Sequence, residues 1–560
     1  MPSATAAPRT PSRTAAATEG QAPYTARPAA RWLGLASALT LWAAYFPLDW
    51  GWLGWVALIP LLALADVRRY PSLRQAVGAS WLAGLVFGII ALQWLRIASP
   101  PMYFVWIGLA LFVSFQFPLF VWLTRRLTGV LGWPLFLAAP VVWTALEFLR
   151  AIIGIGFPWY FLAHTQHAYL PMIQIADLAG VYAVSFVVML ANVALYDLLT
   201  AWRRGGSEPR VAWGARWSVP LAGLLVAGTL GYGLVRLGQD EFELGPKLAL
   251  VQGNLEQDIR NDPEAGDQTN RHYLALMEEA ARARPDLIVA PETCLEFWWM
   301  RIAPDVDPAQ VDERFRQGVA VGDEFAQRFG SHWNTPFLIG LTTLIRETQG
   351  ERRYNGASLI APPGQEVARY AKCFCIPFGE YIPFEKTLPF MKWLSPYDSD
   401  YSVAAGTQLT LFPFGSTPFA VLICYEDTVP HLGRWFMSGA TQPAFFVNIS
   451  NDGWFKGWEE HEQHFAVARF RAVENRRALA RSVNMGVSGI IDGNGRVVTL
   501  LPGARTLSEG KARPGVVVGQ VPLDRRSSLY VLLGDWLPVG CWLLVVLGMA
   551  GLVRRGRAAE

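Results

Sequence analysis

Charged residues are scarce in this sequence. Asp, Glu, Lys and Arg make up 17% of the 560 residues, and hydrophobic residues make up 52%. An average soluble protein is roughly 25% charged. The net charge is only +3 at pH 7, so the composition gives no indication of a nucleic-acid-binding surface. The chain is too long for one ordinary soluble domain, and its balance is typical of a membrane protein.

Cysteine is also scarce, and its spacing excludes common cysteine-based sites. The five cysteines form no CxxC motif and no Cys/His zinc pattern; they are Cys294, Cys373, Cys375, Cys424 and Cys541. Cys373 and Cys375 are too close for an unstrained disulfide. The sequence has no phosphate loop, dinucleotide fingerprint or metal-spaced cluster. We therefore predict neither a metal nor an organic cofactor.

Long apolar runs are present instead. Residues 1–30 are rich in Ala, Thr, Pro and Arg, and we expect them to be disordered. Eight apolar runs follow, each near the ~20 residues that a bilayer requires, although the second is short; they lie at about 31–49, 51–66, 76–96, 103–124, 129–149, 176–199, 217–237 and 531–553. Residues 154–160 combine Gly, Pro and aromatic side chains, which favours an interfacial or re-entrant segment.

Loops that are rich in arginine alternate with loops that contain little arginine. Arginines follow even-numbered runs and are rare after odd-numbered ones; examples are Arg68, Arg69 and Arg74, then Arg125 and Arg126, then Arg203, Arg204, Arg210 and Arg216. The positive-inside rule then places both termini in the cytoplasm and residues 238–529 on the outer side. Within 238–529, short β-rich runs alternate with polar helix-forming stretches, which predicts an α/β sheet with helices packed against it.

Residues 419–427 read as a buried strand that ends in Cys424. A thiol at the carboxyl end of a strand and near a helix N-terminus meets free backbone N–H groups, which favour the thiolate. This is the geometry that a cysteine nucleophile requires. The alternative is a buried structural cysteine, which behaves as a small hydrophobe.

Two further strand-end positions carry chemistry. Glu292 closes the apolar run 287–291, where partial desolvation would raise its pKa toward that of a useful base; a solvent-facing Glu is the alternative. Lys372 lies in an aromatic context and could stabilise an oxyanion, or it could be a snorkelling surface lysine. Glu380 follows a tight Phe-Gly turn that could aim its carboxylate inward. A base, a cation and a thiol together are the parts that thioester chemistry requires.

The order Glu292, Lys372, Cys424 resembles the Glu-Lys-Cys triad of the nitrilase, or carbon-nitrogen hydrolase, superfamily. The surrounding strings resemble those of the bacterial apolipoprotein N-acyltransferases; they are residues 251–254, 291–292, 377–380, 423–426, 448–455 and 464–484. The resemblance covers about residues 31–553. It implies a polytopic α-helical membrane domain plus an extracytoplasmic α/β nitrilase-like (αββα sandwich) domain. The divisions are then a disordered cytoplasmic N-terminus (1–30), seven transmembrane helices (31–237), the periplasmic catalytic domain (238–529), and an eighth helix with a cytoplasmic tail (530–560).

The resemblance also implies an activity in the bacterial inner membrane. Cys424 would attack a membrane phospholipid, release a lysophospholipid and form a thioester. The acyl chain would then pass to the N-terminal amine of the S-diacylglyceryl-cysteine of an apolipoprotein. Glu292 would be the base and Lys372 would stabilise the tetrahedral intermediate. Glu380 would hold Lys372, while Tyr425 and Glu426 would form the site around the nucleophile.

An aromatic cluster near Glu292 has two interpretations. Phe297, Trp298 and Trp299, together with Trp393, suit a membrane interface and could admit lipid to Cys424, or they could pack within the domain.

Two alternative functions also stay open. One is a membrane-anchored nitrilase-type amidase. The other is a non-enzymatic transporter or receptor whose outer domain binds a ligand.

Overall fold

The computed structural model describes residues 29–70, 72–154, 156–203, 209–260, 263–394, 401–511 and 513–559. The predicted disorder of residues 1–30 falls almost entirely outside these residues. The helices of the described chain are α1 Ala30–Ala43, α2 Ile59–Ala65, α3 Leu73–Ala91, α4 Met102–Ser114, α5 Gln116–Gly129, α6 Leu135–Ile152, α7 Leu170–Ile173, α8 Ala176–Ala179, α9 Val181–Arg203, α10 Pro209–Leu237, α11 Gln257–Arg260, α12 Gly266–Arg282, α13 Glu313–Trp333, α14 Pro430–Phe436, α15 Glu460–Asn475, α16 Leu507–Gly510, α17 Leu529–Leu533 and α18 Trp536–Ala559.

Six helical segments of the described chain are long and apolar enough to cross a membrane. They are Leu73–Ala91, Met102–Gly129, Leu135–Ile152, Val181–Arg203, Trp213–Leu237 and Trp536–Arg554. The first two predicted spans fall on shorter helices. At about 1.5 Å per residue, the 14 residues of α1 reach only about 21 Å, and α2 has seven residues. The protein is a membrane protein, and the count of eight crossings stays a prediction.

The segment between α10 and α17 folds as two facing sheets. Its strands are β1 Glu243–Gln252, β2 Leu287–Val289, β3 Trp299–Ile302, β4 Phe337–Glu347, β5 Gly350–Ala361, β6 Gln365–Ala371, β7 Leu411–Phe412, β8 Phe419–Ile423, β9 Phe445–Ser450, β10 Ala478–Val483, β11 Gly489–Ile491, β12 Val497–Leu500 and β13 Gly515–Leu523. The first sheet has the order β13-β1-β2-β4-β5-β6, with β3 beside β4, and the second has the order β12-β11-β10-β9-β8-β7.

Helices cover both outer faces of this pair of sheets. Side chains from both sheets, such as Leu250 and Val421, share one buried core. Tyr273 and Met277 of α12 and Trp333 of α13 pack on the outer face of the first sheet. Helices α14 and α15 contact each other and pack against the second sheet. The layers are helix, sheet, sheet and helix, as the predicted αββα sandwich requires.

The parallel strands bring polar strand ends together. In the second sheet β8 runs parallel to β9, and β9 runs parallel to β10. In the first sheet β1, β2 and β4 are parallel neighbours. Residues that directly follow β2, β8 and β9 therefore emerge at one end of the sandwich, where Glu292, Cys424 and Asn451 lie.

The sandwich is joined to the membrane helices through α15. Phe470 and Val473 of this helix belong to the same buried cluster as the membrane helices. The next residue after α15, Arg476, is fully buried, and its Nη2 lies 2.6 Å from Asp177 Oδ2 on α8. These contacts fix the sandwich relative to the membrane part.

Candidate active site

Cys424 is held in an unusual backbone conformation. All five residues of β8 are buried, and the chain turns sharply at Cys424, which has φ +53°. Residues with a Cβ rarely adopt this left-handed conformation, and it concentrates at functional sites. Asn448 Nδ2 on β9 donates to the Cys424 carbonyl at 3.1 Å. The half-buried thiol is thus presented at a tight turn between a strand and a short 3₁₀ helix, Cys424–Thr428.

Glu292 is buried beside this turn and both of its oxygens accept hydrogen bonds. Asn355 Nδ2 of β5 donates to Oε1 at 2.6 Å, and the Asn451 backbone N–H donates to Oε2 at 2.9 Å. The solvent-facing alternative for Glu292 is therefore wrong. Both partners fix the carboxylate without charge compensation, which leaves it able to accept a proton.

Lys372 is buried directly after β6, so the snorkelling alternative is also wrong. Its Nζ lies 2.8 Å from Glu380 Oε2 and 3.7 Å from Glu292 Oε1. Glu380 is turned inward, as its Phe-Gly turn predicts. Its oxygens accept from Asn355 Nδ2 at 2.7 Å and from the Ile376 N–H at 2.7 Å. Asn355 therefore joins the two carboxylates that flank the lysine.

The electrostatics of the site follow from burial and close charges. Burial raises the pKa of Glu292, and Lys372 opposes this shift. Burial alone would lower the pKa of Lys372, but Glu380, Cys424 and Glu292 together hold it well above its usual value. Burial and then the Glu292 carboxylate raise the pKa of Cys424 well above that of a free thiol. The expectation of a favoured thiolate is wrong, because burial and Glu292 together outweigh the opposing effect of Lys372 on the pKa of Cys424. Attack by the sulfur therefore requires a base.

Glu426 connects the lysine loop to the nucleophile turn. Its Oε1 accepts from Tyr370 Oη at 2.9 Å and from the N–H groups of Cys373 and Phe374 at 2.7 and 3.0 Å. Its Oε2 accepts from the Ile423 N–H at 2.8 Å. Burial raises the pKa of Glu426 to about 7, and the hydrogen bonds oppose that shift. Glu426 therefore holds the lysine loop against the nucleophile turn, and both of its carboxylate oxygens accept hydrogen bonds in doing so.

Tyr425 turns toward the membrane part. Its hydroxyl donates to the Gly156 carbonyl at 3.1 Å, and its ring stacks on Trp159 with centroids 6.4 Å apart. The aromatic segment between α6 and α7, which includes Trp159, therefore lies next to the nucleophile turn. The Gly, Pro and aromatic content of residues 154–160 is the sequence feature that predicted an interfacial or re-entrant segment here.

The predicted lipid-facing aromatics differ in how far their side chains are exposed. Trp299 is fully buried in β3, where its Nε1 donates to Glu366 at 3.1 Å, so its assignment to a lipid-facing surface is wrong. Phe297 is half-buried with its ring 5.0 Å from that of Phe325. Trp298 is 42% exposed and carries the Arg353 guanidinium over its ring. The side chain of Trp393 lies outside the described residues.

Asn355 is the main residue that sequence reasoning missed. It lies in the middle of β5, whose neighbouring positions are buried. A lone amide inside a buried strand was the available signal, since such a group must find partners. Asn451 follows β9 in the same way as Glu292 follows β2, and only its backbone contacts the base.

One group of described residues has the composition of a metal site. Asp452, Glu460 and His464 are buried and each offers a ligand atom within 4.8 Å of the others. Arg481 Nη2, however, lies 3.7 Å from Asp452 Oδ2 in the same space. Cationic side chains already balance the carboxylates, so we interpret the group as an ion-pair network.

Comparison with known proteins places this site in a family. A sequence model of the apolipoprotein N-acyltransferase N-terminal domain matches residues 37–194, and one of the carbon-nitrogen hydrolases matches residues 247–529. The apolipoprotein N-acyltransferase of Geobacter metallireducens is 32% identical over 497 residues, which cover 87% of this chain and 88% of that protein. The chain belongs to the apolipoprotein N-acyltransferase family. The predicted family and fold class are confirmed.

Other relatives extend over most of the chain. The apolipoprotein N-acyltransferase of Rhodopirellula baltica is 30% identical over 560 residues, an alignment that covers 91% of this chain and 95% of that protein. Among solved structures, Nit3 of Saccharomyces cerevisiae, a member of branch 10 of the nitrilase superfamily, is 16% identical. That likeness has a TM-score of 0.35 and covers 52% of this chain and 94% of Nit3.

Proposed function

We propose that this acyltransferase moves a fatty acyl chain from a membrane phospholipid to the N-terminal amine of the S-diacylglyceryl-cysteine of apolipoproteins. Membership of the apolipoprotein N-acyltransferase family supports this function, and the chain is an enzyme of that family. One observation carries the assignment of roles. The buried Glu292 and Lys372 and the half-buried Glu380 form one ionic group at the end of the sandwich where Cys424 lies in a strained turn.

In the first half-reaction, Glu292 takes the proton of the Cys424 thiol while the sulfur attacks the ester carbonyl of the phospholipid. The carbonyl π electrons move onto oxygen, and the Lys372 ammonium and the Tyr425 N–H stabilise the resulting oxyanion. Collapse of the tetrahedral intermediate breaks the ester C–O bond. Glu292 returns its proton to the leaving alkoxide, and a lysophospholipid departs from the acyl thioester.

In the second half-reaction, the α-amine of the acceptor attacks the thioester carbonyl. Glu292 takes the amine proton, and the same donors stabilise the second oxyanion. The C–S bond breaks as the amide forms, and Glu292 reprotonates the departing thiolate. The raised pKa of Glu292 suits both directions, because a base must also act as an acid when the intermediate collapses.

Glu380 and Asn355 act through Lys372 and Glu292. Glu380 is closer to the ammonium than Glu292 is, at 2.8 against 3.7 Å, so it carries most of the ion pairing. Asn355 donates to both carboxylates and fixes their positions beside the ammonium. Glu292 is therefore left for proton transfer, which a tight salt bridge to Lys372 would oppose.

The arrangement around the membrane is part of the proposal. Loop arginines support cytoplasmic termini, a periplasmic sandwich and the division at residues 30, 237 and 529. Phe297, Trp298 and Trp393 are proposed to face lipid on its way to Cys424. A membrane-impermeant maleimide should label a cysteine introduced at the exposed Glu313 in intact spheroplasts and leave one introduced at Arg126 unlabelled. The reverse labelling would contradict the orientation.

The deciding experiment is intact-protein mass spectrometry after incubation with phospholipid and no acceptor. We expect an added mass of one acyl chain that neutral hydroxylamine removes and that Cys424→Ser lacks. A diacylglyceryl peptide that is added afterwards should then accept the acyl chain from Cys424. Release to water alone would favour the amidase-type alternative. Active enzyme that never carries an adduct would overturn the covalent route.

A further inference from the structure

A second buried ionic group lies behind the nucleophile turn. We call Asp427, Asp452, His464 and Arg481 the histidine bracket. His464 Nε2 lies 2.7 Å from Asp427 Oδ1, and His464 Nδ1 lies 3.2 Å from both oxygens of Asp452. Arg481 of β10 donates to Asp427 Oδ2. The mechanism proposed above uses none of these side chains.

The two carboxylates of the bracket belong to the two turns that carry the reacting groups. Asp427 is three residues beyond Cys424 in the same 3₁₀ helix. Asp452 is the neighbour of Asn451, whose N–H donates to Glu292 Oε2 at 2.9 Å. His464, on α15, is in direct contact with both carboxylates. It therefore joins the turn of the nucleophile to the turn that holds the base.

The bracket is sealed and its charges balance. No side chain in it is more than 2% exposed. A carboxylate oxygen can only accept, so both ring nitrogens of His464 must donate, which makes the ring an imidazolium. Two carboxylates then face two cations. Around them, Ser450 Oγ donates to Asp452 Oδ1 at 2.6 Å, and Glu460 Oε1 lies 3.5 Å from His464 Nδ1.

The titration behaviour agrees with this geometry. Burial would lower the pKa of His464, but Asp427 and Asp452 raise it to about 10. Burial would raise the pKa of Asp452, but His464 and Arg481 lower it. Burial and then the Asp452 carboxylate raise the pKa of Glu460 well above its usual value, and His464 opposes this shift.

We propose that His464 is a positioning residue for the acyl transfer, which fixes the distance between Cys424 and Glu292 by bridging Asp427 and Asp452. The inference rests on the proposed function, because it assigns those two residues to the reaction. A neutral side chain cannot replace the imidazolium. Glutamine can donate to only one of the two carboxylates, and Arg481 is then the one cation that faces both of them. A displacement of about 1 Å between reacting groups can cost about 10²-fold in rate.

The test measures His464→Gln in the full-length, detergent-solubilised enzyme. The first-order rate of adduct formation on Cys424 at saturating phospholipid should fall about 10- to 100-fold. The phospholipid concentration at half-maximal rate should stay within about 2-fold, since no bracket residue contacts the lipid surface. His332→Gln is the matched control. It also breaks a histidine–carboxylate pair, at 3.0 Å to Glu278, on the exposed face of α13, and should keep the wild-type rate.

A second variant tests the coupling. Asp427→Asn keeps the size of the side chain and removes one of the two charges that His464 bridges. Its rate loss should resemble that of His464→Gln, and the double variant should lose no more than the worse single variant. If His464→Gln does not fold, the rate and half-saturation of Asp427→Asn decide the question alone.

The outcomes separate the two proposals. Wild-type enzyme without an adduct defeats the proposed function whatever the variants do. A wild-type adduct with an unchanged rate in His464→Gln or in Asp427→Asn overturns the bracket and leaves the function standing. Losses that multiply in the double variant, or a change in half-saturation with an unchanged maximal rate, also overturn the positioning role.

Discussion

Two ionic groups lie near Cys424: one has a single cation between two carboxylates, and the other has two cations that face two carboxylates. In the first, Lys372 lies between Glu380 and Glu292 at 2.8 and 3.7 Å. In the histidine bracket, His464 lies between Asp427 and Asp452 at 2.7 and 3.2 Å. The first group opens toward the half-buried thiol, and the side chain of Glu380 is 14% exposed. The bracket is closed.

The comparison shows how pairing distance separates a reactive carboxylate from a structural one. Glu292 is the looser partner of its cation, and burial raises its pKa. Asp452 is also buried, but the charges of His464 and Arg481 lower its pKa. Desolvation that close charges do not compensate leaves a carboxylate able to exchange a proton. The same burial, once compensated, yields a permanent anion that can only hold a structure in place.

The largest effect should come from removing the thiol that lies near both groups. Cys424→Ala should reduce acyl transfer at least about 10⁴-fold and abolish the acyl adduct, because no other group supplies the nucleophile. Cys541→Ala, in α18, is the control and should form the adduct normally. Mass spectrometry of both variants checks the result. An adduct that persists in Cys424→Ala would place the nucleophile elsewhere.

The next largest effect distinguishes the two carboxylates. Glu292→Gln keeps the shape but removes the base, and we expect adduct formation to slow about 10²- to 10⁴-fold. Asp452→Asn weakens the contacts with His464 and Arg481 but keeps Glu292 as the base, and it should cost about 10-fold. Rapid-quench mass spectrometry under single-turnover conditions measures both. Equal losses in the two variants would erase the distinction between a reactive and a structural carboxylate.

The pH dependence of the reaction should report Glu292. The pKa of this carboxyl is raised, so a larger fraction is protonated at a given pH than for an ordinary Glu, near 4.3. Only the ionised form accepts the thiol proton, so activity should fall as pH drops through the raised value. The acid limb of kcat/KM, measured with phospholipid, should therefore lie above pH 4.3. A limb at the ordinary value would show that burial does not tune this residue.

The pH dependence of stability should report the bracket. The folded-state pKa of His464 is raised to about 10, against about 6.5 in the unfolded chain. Its stabilising contribution is thus fully present below about pH 6.5 and is lost as pH rises toward 10. The gap in apparent Tm between wild type and His464→Gln should be widest near pH 6 and narrow by pH 10. A gap that stays constant would argue against an imidazolium in the native state.

The smallest effect should lie at the surface, away from both groups. Trp298→Gln removes an exposed ring with a cation–π contact, so the KM for long-chain phospholipid should rise about 2- to 5-fold with little change in kcat. Trp202→Gln, at the far end of α9, should leave KM unchanged. If both variants behave like wild type, Trp298 has no part in lipid access.

The sequence predicted those parts of the site that depend on strand ends. Glu292 and Cys424 each terminate an apolar run, and parallel strands bring such ends together, so the two residues could be found without coordinates. The bracket could not, because Asp427, Asp452 and His464 come from three separate segments. Each looks ordinary in its own stretch, and only the pairing of β8, β9 and α15 shows their relation.

The wrong expectations have equally local causes. Trp299 belongs to β3, a four-residue strand that exists only through its parallel pairing with the distant β4. No periodicity could distinguish it from an exposed loop. The pKa of the thiol was misjudged because a helix N-terminus is visible in sequence, whereas the burial of Cys424 and the approach of Glu292 are not.

The contact between Arg476 and Asp177 has a practical consequence for dividing this chain. Arg476 is buried completely, and its partners include Gln174 and Asp177 from the membrane part. Asp177 is shared with Arg236, at the end of α10. A secreted fragment that begins after residue 237 would keep the guanidinium of Arg476 and lose the side-chain oxygens of Gln174 and Asp177 to which it donates. The catalytic sandwich is continuous in sequence, but it is not an autonomous module, and fusing it to a different anchor should yield an unstable protein.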